Sequence, residues 1–302
     1  MSQPAVIYRR GRAGDSYAAF LVFEEALADL LRRRGDPNVS RWEDKEKLAR
    51  LWLDRRPLFE FLAQAADQFW VAARGDQIVG YARAMLTDGV WELTEFFVAP
   101  TDQSGGVGRE LLSRVQSSPA RRRLIIATTD ARAQARYLKL GVYPRFPIMY
   151  LWRQPEVVTV ETDLEFAPLS PSAEQLAALD AIDRAVLGFT RREEHVWLIS
   201  QHEGCLYLRN SRPVGYGYAG RRNGPFALLE AADFPAVLAH AETRAVGRFD
   251  EIGFEAPMIN RVAVDYLLAR GYRLDDFIAF VMTDEPLGRW ENYIASSPPF
   301  FA

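Results

Sequence analysis

The chain has 302 residues, 49% of them hydrophobic and 25% charged, a length that two ordinary globular domains fill better than one. Its formal net charge of −3 gives no electrostatic footprint for nucleic acid, and no apolar run approaches the ~18 residues of a membrane-spanning helix. The single cysteine, Cys205, excludes an internal disulfide and suits a reducing, cytoplasmic setting; beside Gly204 and Leu206 it reads as a small core residue.

The opening segment, MSQPAVIYRRGRAGD, lacks the apolar core of a signal peptide. Phe20, Phe23, Leu27, Leu30 and Leu31 then form a helical stripe. Arg32-Arg33-Arg34 and Gly35 mark its end, where cations suit the macrodipole and glycine can cap. From about residue 70, apolar β-rich runs break at Arg74-Gly75-Asp76 and at Thr87-Asp88-Gly89, which predicts a meander of three antiparallel strands. FFVAPTDQSGGVGRELLSRV, residues 96–115, passes from strand through a glycine-dense turn into a helix that begins near Gly106, with Leu111, Leu112 and Val115 on one face. A further helix, DARAQARYLKLGVY, and a strand, PIMYLW, follow.

Periodicity fails in RQPEVVTVETDLEFAPLSPS, so the chain divides into 1–153, a linker at 154–163, and 164–302. The second part opens with another helical stripe (Leu176, Leu179, Ile182, Val186) and repeats the meander in GCLYLRNSRPVGYGYAGRRNGPFALLEA. Val214-Gly215-Tyr216 echoes Val79-Gly80-Tyr81 at an offset of 135 (214 − 79), and Asn223-Gly224 echoes Asp88-Gly89 at the same offset. NRVAVDYLLARGYR echoes DARAQARYLKLGVY at an offset of 130 (263 − 133), and the strand DFIAFVM closes the copy. Consistent spacing makes this a duplication of an α+β unit, each copy a mixed, mostly antiparallel sheet flanked by helices. His195, His202 and His240 have no ligand spacing, so no metal site is expected. The aromatic tail ENYIASSPPFFA is expected to pack on its own chain or in a dimer contact, leaving monomer and homodimer both open.

The glycine turn carries the chemistry. The first turn of a helix leaves N–H groups without intrahelical partners at the positive end of the dipole, and Gly105, Gly106 and Gly108 let a phosphate come close to them. A P-loop needs Lys-Ser or Lys-Thr after the last glycine, and Arg109-Glu110 stands there instead. A dinucleotide fingerprint needs glycine where Leu111 stands, after a strand of a βαβ unit rather than a meander. Gln-x-x-Gly-x-Gly between strand and helix is met by Gln103, Gly106 and Gly108.

That pattern resembles the acetyl-CoA loop of the GNAT superfamily of N-acetyltransferases. The next helix of that family carries an Asn, an Ala three further on, a Tyr and then a Gly; Asp130, Ala133, Tyr137 and Gly141 keep those spacings, with Asp for Asn and Gly141-Val142 for the family's Gly-Phe. The whole therefore resembles a tandem GNAT protein. Its second copy, without the glycine loop and with Leu267 at the position of Tyr137, looks degenerate. The resemblance implies that the amides of Ser104, Gly105, Gly106, Val107, Gly108 and Arg109 hold the pyrophosphate. Phe96, Phe97 and Val98 would lie along the pantetheine and thioester, and Gln103, Asp130, Ala133 and Tyr137 would complete the cofactor site.

Acetyl transfer to an amine needs a neutral nucleophile, although a free alkylammonium has a pKa near ~10.4, together with donors for the oxyanion and a proton for the thiolate. Tyr137 is the candidate acid and Glu95 the candidate base, with Glu92 placed on the opposite strand face by its three-residue separation. The acidic residues Glu24, Glu25, Glu92 and Glu95 are either an attraction for a cationic amine or surface charge. The expected activity is acetyl-CoA-dependent N-acetylation of a primary amine on a small molecule or peptide, without metal, nucleic acid or membrane. The alternative is a non-catalytic CoA-binding or protein-interaction module on the duplicated fold.

Overall fold

Strand β1 (Val6–Arg10) leads through a short 3-10 turn into helix α1 (Ser16–Arg34), which ends where the sequence predicts. Gly35 turns left-handed (φ 74°), its amide donates to the carbonyls of Arg32 and Leu31, and the three arginines occupy the last turn. The computed structural model describes residues 4–35, 44–116 and 119–296, and it divides into two compact units, Met1–Arg123 and Leu124–Ala302.

In the first unit, α2 (Lys45–Ala65) starts at an Asp44 whose carboxylate accepts the amides of Glu46 and Lys47. The predicted meander follows as β2 (Gln68–Arg74), β3 (Gln77–Thr87) and β4 (Val90–Val98), turning through Gly75 (φ 59°) and through Asp88 and Gly89 (φ 47° and 79°). With β1 these form an antiparallel sheet in the order β1-β2-β3-β4. Helix α3 (Val107–Val115) buries Val107, Leu111, Leu112 and Val115. It lies so near Gly80 that a Cβ there would stand 3.2 Å from Leu111, which explains the glycine of Val79-Gly80-Tyr81. The other sheet face meets α1 where Phe23 lies 4.9 Å from Phe97, and α1 meets α2 where Phe20 lies 5.7 Å from Phe59.

The second unit takes all but the first two residues of β5 (Arg122–Thr128), then α4 (Ala131–Lys139) and β6 (Tyr143–Arg153). It continues with β7 (Glu165–Pro168), α5 (Ala173–Val186), α6 (Arg192–Gln201), β8 (Glu203–Arg209), β9 (Arg212–Ala219) and β10 (Phe226–Leu228). After these come α7 (Phe234–Ala245), β11 (Ile252–Pro257), α8 (Arg261–Ala269), β12 (Arg273–Thr283) and a short β13 (Tyr293–Ile294). From β1 to β6 and from β7 to β12 the order is the same: strand, two helices, three strands, helix, strand, helix, strand. The echo in the sequence is an echo of elements.

Two sheets form within this unit, β5-β12-β6-β11 and β13-β10-β9-β8-β7, with every pair antiparallel. The last strands are exchanged: β12 of the second copy pairs with β5, and β6 of the first pairs with β11. Between them, Ile148 faces Ala279 and Met149 faces Ile278. The repeat offset of 130 turns one pair into the other (148 + 130 = 278; 279 − 130 = 149), so β6 and β12 meet about a local two-fold axis. The copies of the sequence and the compact units consequently divide the chain at different points. Residues 154–163 run against α7, where the Val158 amide donates to the Thr243 hydroxyl (3.0 Å) and that hydroxyl donates to the Val158 carbonyl (2.8 Å). Cys205 is buried as the sequence predicts, and burial pushes its thiol up to about 11.

Beneath the second meander lies a closed polar network. Asp183 on α5 is ion-paired to Arg191 (3.2 Å), accepts from the Tyr216 hydroxyl, and lies 2.9 Å from Nε2 of His195, whose Nδ1 lies 2.8 Å from the Tyr218 hydroxyl. All five side chains are buried. Burial pushes the Asp183 carboxyl up, but Arg191 and His195 outweigh it and hold the group well below the usual carboxylate range. A carboxyl depressed in the folded state stabilises the fold above its unfolded pKa of ~3.9, and that contribution is lost as pH falls toward the folded value. Asp183→Asn is expected to lose about 3–5 kcal/mol at pH 7 by leaving Arg191 buried without its counter-charge. Urea denaturation from pH 6 to pH 2 should also show a shallower acid decline than in the parent.

Candidate active site

The predicted loop is held at its base by two contacts. Gln103 donates through Nε2 to the carbonyl of Val98 (2.9 Å), and Asp102 is ion-paired to Arg74 on β2 (2.7 Å). The chain then turns through Ser104 (φ 72°) and Gly106 (φ 87°), and Gly106 caps α3. That left-handed conformation is what a glycine at 106 supplies, because a Cβ there would be strained. The amide of Glu110 reaches the Gly106 carbonyl (3.1 Å), whereas none of the amides from Ser104 to Arg109 finds a backbone carbonyl among the described residues. Ser104, Gly105 and Arg109 are exposed. Unpaired donors at a helix N-terminus, with Arg109 beside Glu110 in the first turn, are a fit for a diphosphate.

Strand β4 holds the second group of predicted residues. Phe96 faces Ala82 on β3, Phe97 faces Tyr81 and Val98 faces Gly80. The register shifts between Arg83 and Ala84: Glu95 faces Arg83 while Leu93 faces Ala84, so Thr94 is the extra residue of a bulge. The bulge corrects one expectation. Glu92 faces Met85 and Glu95 faces Arg83, two β3 residues of one face, so both carboxylates point to that face rather than to opposite ones.

A second correction concerns charge. Glu24, Glu92 and Glu95 are buried, and only Glu25 of the four acidic residues is exposed. Glu95 accepts from the Tyr81 hydroxyl through Oε1 and from Arg83 through Oε2, both at 2.7 Å. Arg83 also donates to the Phe59 carbonyl on α2 (3.1 Å) and stacks over Phe69 at 4.2 Å. Glu24 on α1 is ion-paired to Arg55 on α2 (3.3 Å), whose guanidinium lies 5.0 Å from the Phe23 ring. Burial first, then the Glu95 charge, raises the Tyr81 hydroxyl well above its ordinary value, so it stays a donor.

Tyr81, Arg83 and Arg55 were not among the predicted site residues. The signal for the first two was present: a tyrosine and an arginine two apart on an apolar strand share a face, and a buried arginine must have a counter-charge.

The remaining predicted residues belong to the second unit. Asp130 caps α4, its carboxylate accepting the Arg132 amide (2.9 Å) and lying 3.2 Å from the Arg132 guanidinium. Asn260 makes the same cap for α8, accepting from the Ala263 amide (3.1 Å). Ala133 is half-buried one turn on, and Tyr137 is buried. Burial, with a smaller push from Asp130, raises the Tyr137 phenol above its ordinary value. No group of histidines, cysteines and acids able to hold a metal ion occurs among the described residues, and no helix among them is long and apolar enough to cross a membrane.

Residues 65–143, which span the meander, the glycine loop, α3 and α4, match the family model described as an acetyltransferase (GNAT) domain. The chain carries a GNAT domain. Its fold as a whole is that of tandem GNAT proteins. A Pyrococcus horikoshii protein provisionally described as an acetyltransferase superposes with a TM-score of 0.71 at 14% identity, over 97% of this chain and 94% of that one. A GCN5-related N-acetyltransferase from Sphaerobacter thermophilus gives 0.59 at 13%, over 94% and 98%. A tandem GNAT protein from the clavulanic acid biosynthesis pathway gives 0.55 at 13%, over 93% and 99%. No curated protein sequence matches the chain. At these identities the likeness is one of fold, and it extends across both copies of the GNAT repeat.

The Glu95–Arg83 pair in the GNAT domain generates a stability prediction. Glu95→Gln leaves a buried guanidinium without its charge partner and is expected to cost about 3–5 kcal/mol. Pairing it with Arg83→Met should recover at least half of that loss in chemical denaturation, which a purely local packing effect at position 95 would not.

Proposed function

We propose that the protein is an acetyl-CoA-dependent N-acetyltransferase acting on a primary amine. The reading is carried by the run of open amides from Ser104 to Arg109, entered through the left-handed Gly106, inside the segment that matches the GNAT domain. These amides grip the pyrophosphate, with Gln103 holding the loop in place, and the arm of the coenzyme runs along Phe96, Phe97 and Val98. Asp130 and Ala133 border the cofactor, although the Asp130 side chain is already committed to its helix.

In the reaction the amine nitrogen bonds to the thioester carbon, the carbon–sulfur bond breaks, the amine loses one proton and the sulfur gains one. By the resemblance to the GNAT superfamily, the backbone amides of Phe97 and Val98 on β4 would stabilise the oxyanion. Glu95 is a buried carboxylate whose two oxygens are already engaged by the Tyr81 hydroxyl and the Arg83 guanidinium, both at 2.7 Å, which leaves it poorly placed to take a proton from the amine directly. Its role is to favour loss of the amine proton to water. Tyr137 serves the leaving sulfur. Its phenol, raised above its ordinary ~10, is a weaker acid than a thiol of ~8.5, so it contributes a hydrogen bond to the developing thiolate more than a completed proton transfer.

Calorimetry on Gly106→Val should show acetyl-CoA binding lost while the fold is kept; unchanged affinity would remove the pyrophosphate assignment. Tyr137→Phe is expected to lower kcat by about 10²-fold with little change in KM. Because the raised phenol keeps its proton, kcat of the parent should show no descending limb between pH 8 and pH 10 from this residue. Thiol release from acetyl-CoA, followed across small amines, lysine peptides and protein N-termini, identifies the acceptor. Tight coenzyme binding with no amine-dependent release from any of them would favour a binding module instead.

A further inference from the structure

The C-terminal segment packs on its own chain, one of the two arrangements expected of it, and does so as a strand. After β12 the chain returns through a 3-10 turn at Trp290–Asn292 and lays β13 along β10, Ile294 facing Phe226 and Tyr293 facing Ala227. The next residue, Ala295, donates its amide to the carbonyl of Glu255 on β11 (3.0 Å). Three residues of tail therefore fill the gap between β10 and β11 and hydrogen-bond to both. Trp290, Asn292, Tyr293, Ile294, Ala295 and Ser296 are all buried; residues 297–302 lie outside the described part.

Side chains close on this strip from several elements. Asn260, the cap of α8, donates its amide group to the Tyr293 carbonyl (3.0 Å), and Asn292 donates to the carbonyls of Leu228 and Leu229 (2.8 and 3.0 Å). Arg191 donates to the Tyr293 hydroxyl (3.0 Å), tying the strip to the network around Asp183. Gly224, at φ 97°, has no room for a side chain, since a Cβ there would meet the Ala295 carbonyl oxygen at 2.1 Å. This is a built slot with a peptide in it.

By the order of elements, β10 corresponds to β4, β11 to β5, α7 to α3 and Asn260 to Asp130. The slot of the second copy is thus the counterpart of the one that, on the reading proposed above, takes the coenzyme arm in the first. Pantetheine is itself a chain of amides, so a peptide strip offers the same hydrogen-bonding groups to a strand edge. The phosphate end is altered in the same sense. Where Gly106 precedes α3, Asp233 precedes α7, and its carboxylate is ion-paired to Arg209 (2.8 Å). Arg209 is shared with Asp163 (2.7 Å), so two carboxylates meet one guanidinium, and the net negative charge left at the helix N-terminus suits the dipole and repels an incoming phosphate.

We propose that residues 293–295 are a tethered occupant of the cofactor slot of the second copy, with Asp233 standing at its phosphate end, so that the second copy is closed to coenzyme by the chain itself and the protein takes one coenzyme per chain. The comparison with a coenzyme arm rests on the function proposed above; the occupancy of the slot does not.

The experiment has two arms on the full-length chain. In the first, acetyl-CoA is titrated calorimetrically and by hydrogen exchange. One equivalent is expected, with protection confined to β4 and α3. Protection of β10, β11 or α7 overturns the closure, and no binding at all defeats the coenzyme reading while leaving the second arm to judge the occupant. In the second arm, Ala295→Pro removes the amide that reaches Glu255. Asn260→Asp keeps the helix cap, as Asp130 does in the first copy, but deletes the donor to Tyr293. Either variant is expected to accelerate exchange of the amides of residues 226–228 and 252–256 by at least ~10-fold while β2 and β3 are unchanged. Unchanged exchange in β10 and β11 in a folded Asn260→Asp chain overturns the proposal even if Ala295→Pro does not fold.

Discussion

Strands β6 and β12 lie side by side about their own midpoint, and while they do, neither copy of the repeat can finish a sheet from its own residues. Strand β5 takes β12 as its neighbour and β11 takes β6, so each copy contributes the strand that the other lacks. The backbone donors of four strands are satisfied only when both copies are present, and buried donors left unpaired are too costly to be tolerated. The linker at 154–163 is accordingly tied down along α7 rather than left as a loose tether. Duplication here is a structural dependence, not two modules on a string.

Each copy also buries a charged cluster under its meander. In the first, Tyr81 and Arg83 on β3 converge on Glu95, with Glu24 and Arg55 paired between α1 and α2. In the second, Tyr216, at the repeat position of Tyr81, and Arg191 converge on Asp183. Ion pairs of this kind add little net stability compared with an apolar core, but half of one left behind is strongly destabilising. They fix which helices face which strands. The first cluster sits on the strand that the proposed chemistry uses, and the second is latched to the tail through Tyr293.

Much of this was legible from residue patterns. The meander, the cap at Gly35, the glycine turn and the order of elements follow from local rules: alternation, left-handed glycine, and apolar spacing on helices. The positions of Glu92 and Glu95 were not legible, because alternation fails at a bulge and nothing in Val-Trp-Glu-Leu-Thr-Glu marks Thr94 as the extra residue. Nor was the burial of Glu24 and Glu95, since acidic residues on a helix and a strand resemble surface charge until Arg55 and Arg83 are brought to them from elsewhere in the chain. The capping role of Asp130 could have been inferred from its place before a helix. The exchange of β6 and β12 could not, because two strands of like composition carry no label of partner.

The exchange has a consequence for synthesis. Thr128 on β5 faces Ala279, a partner 151 residues later (279 − 128). At ribosomal rates of about 5–20 residues per second, β5 emerges roughly 8–30 s before the strand that covers it. Throughout that interval the nascent chain carries an apolar edge, Leu124-Ile125-Ile126-Ala127, with no mate yet made. The cell must shelter that edge until β12 has been made.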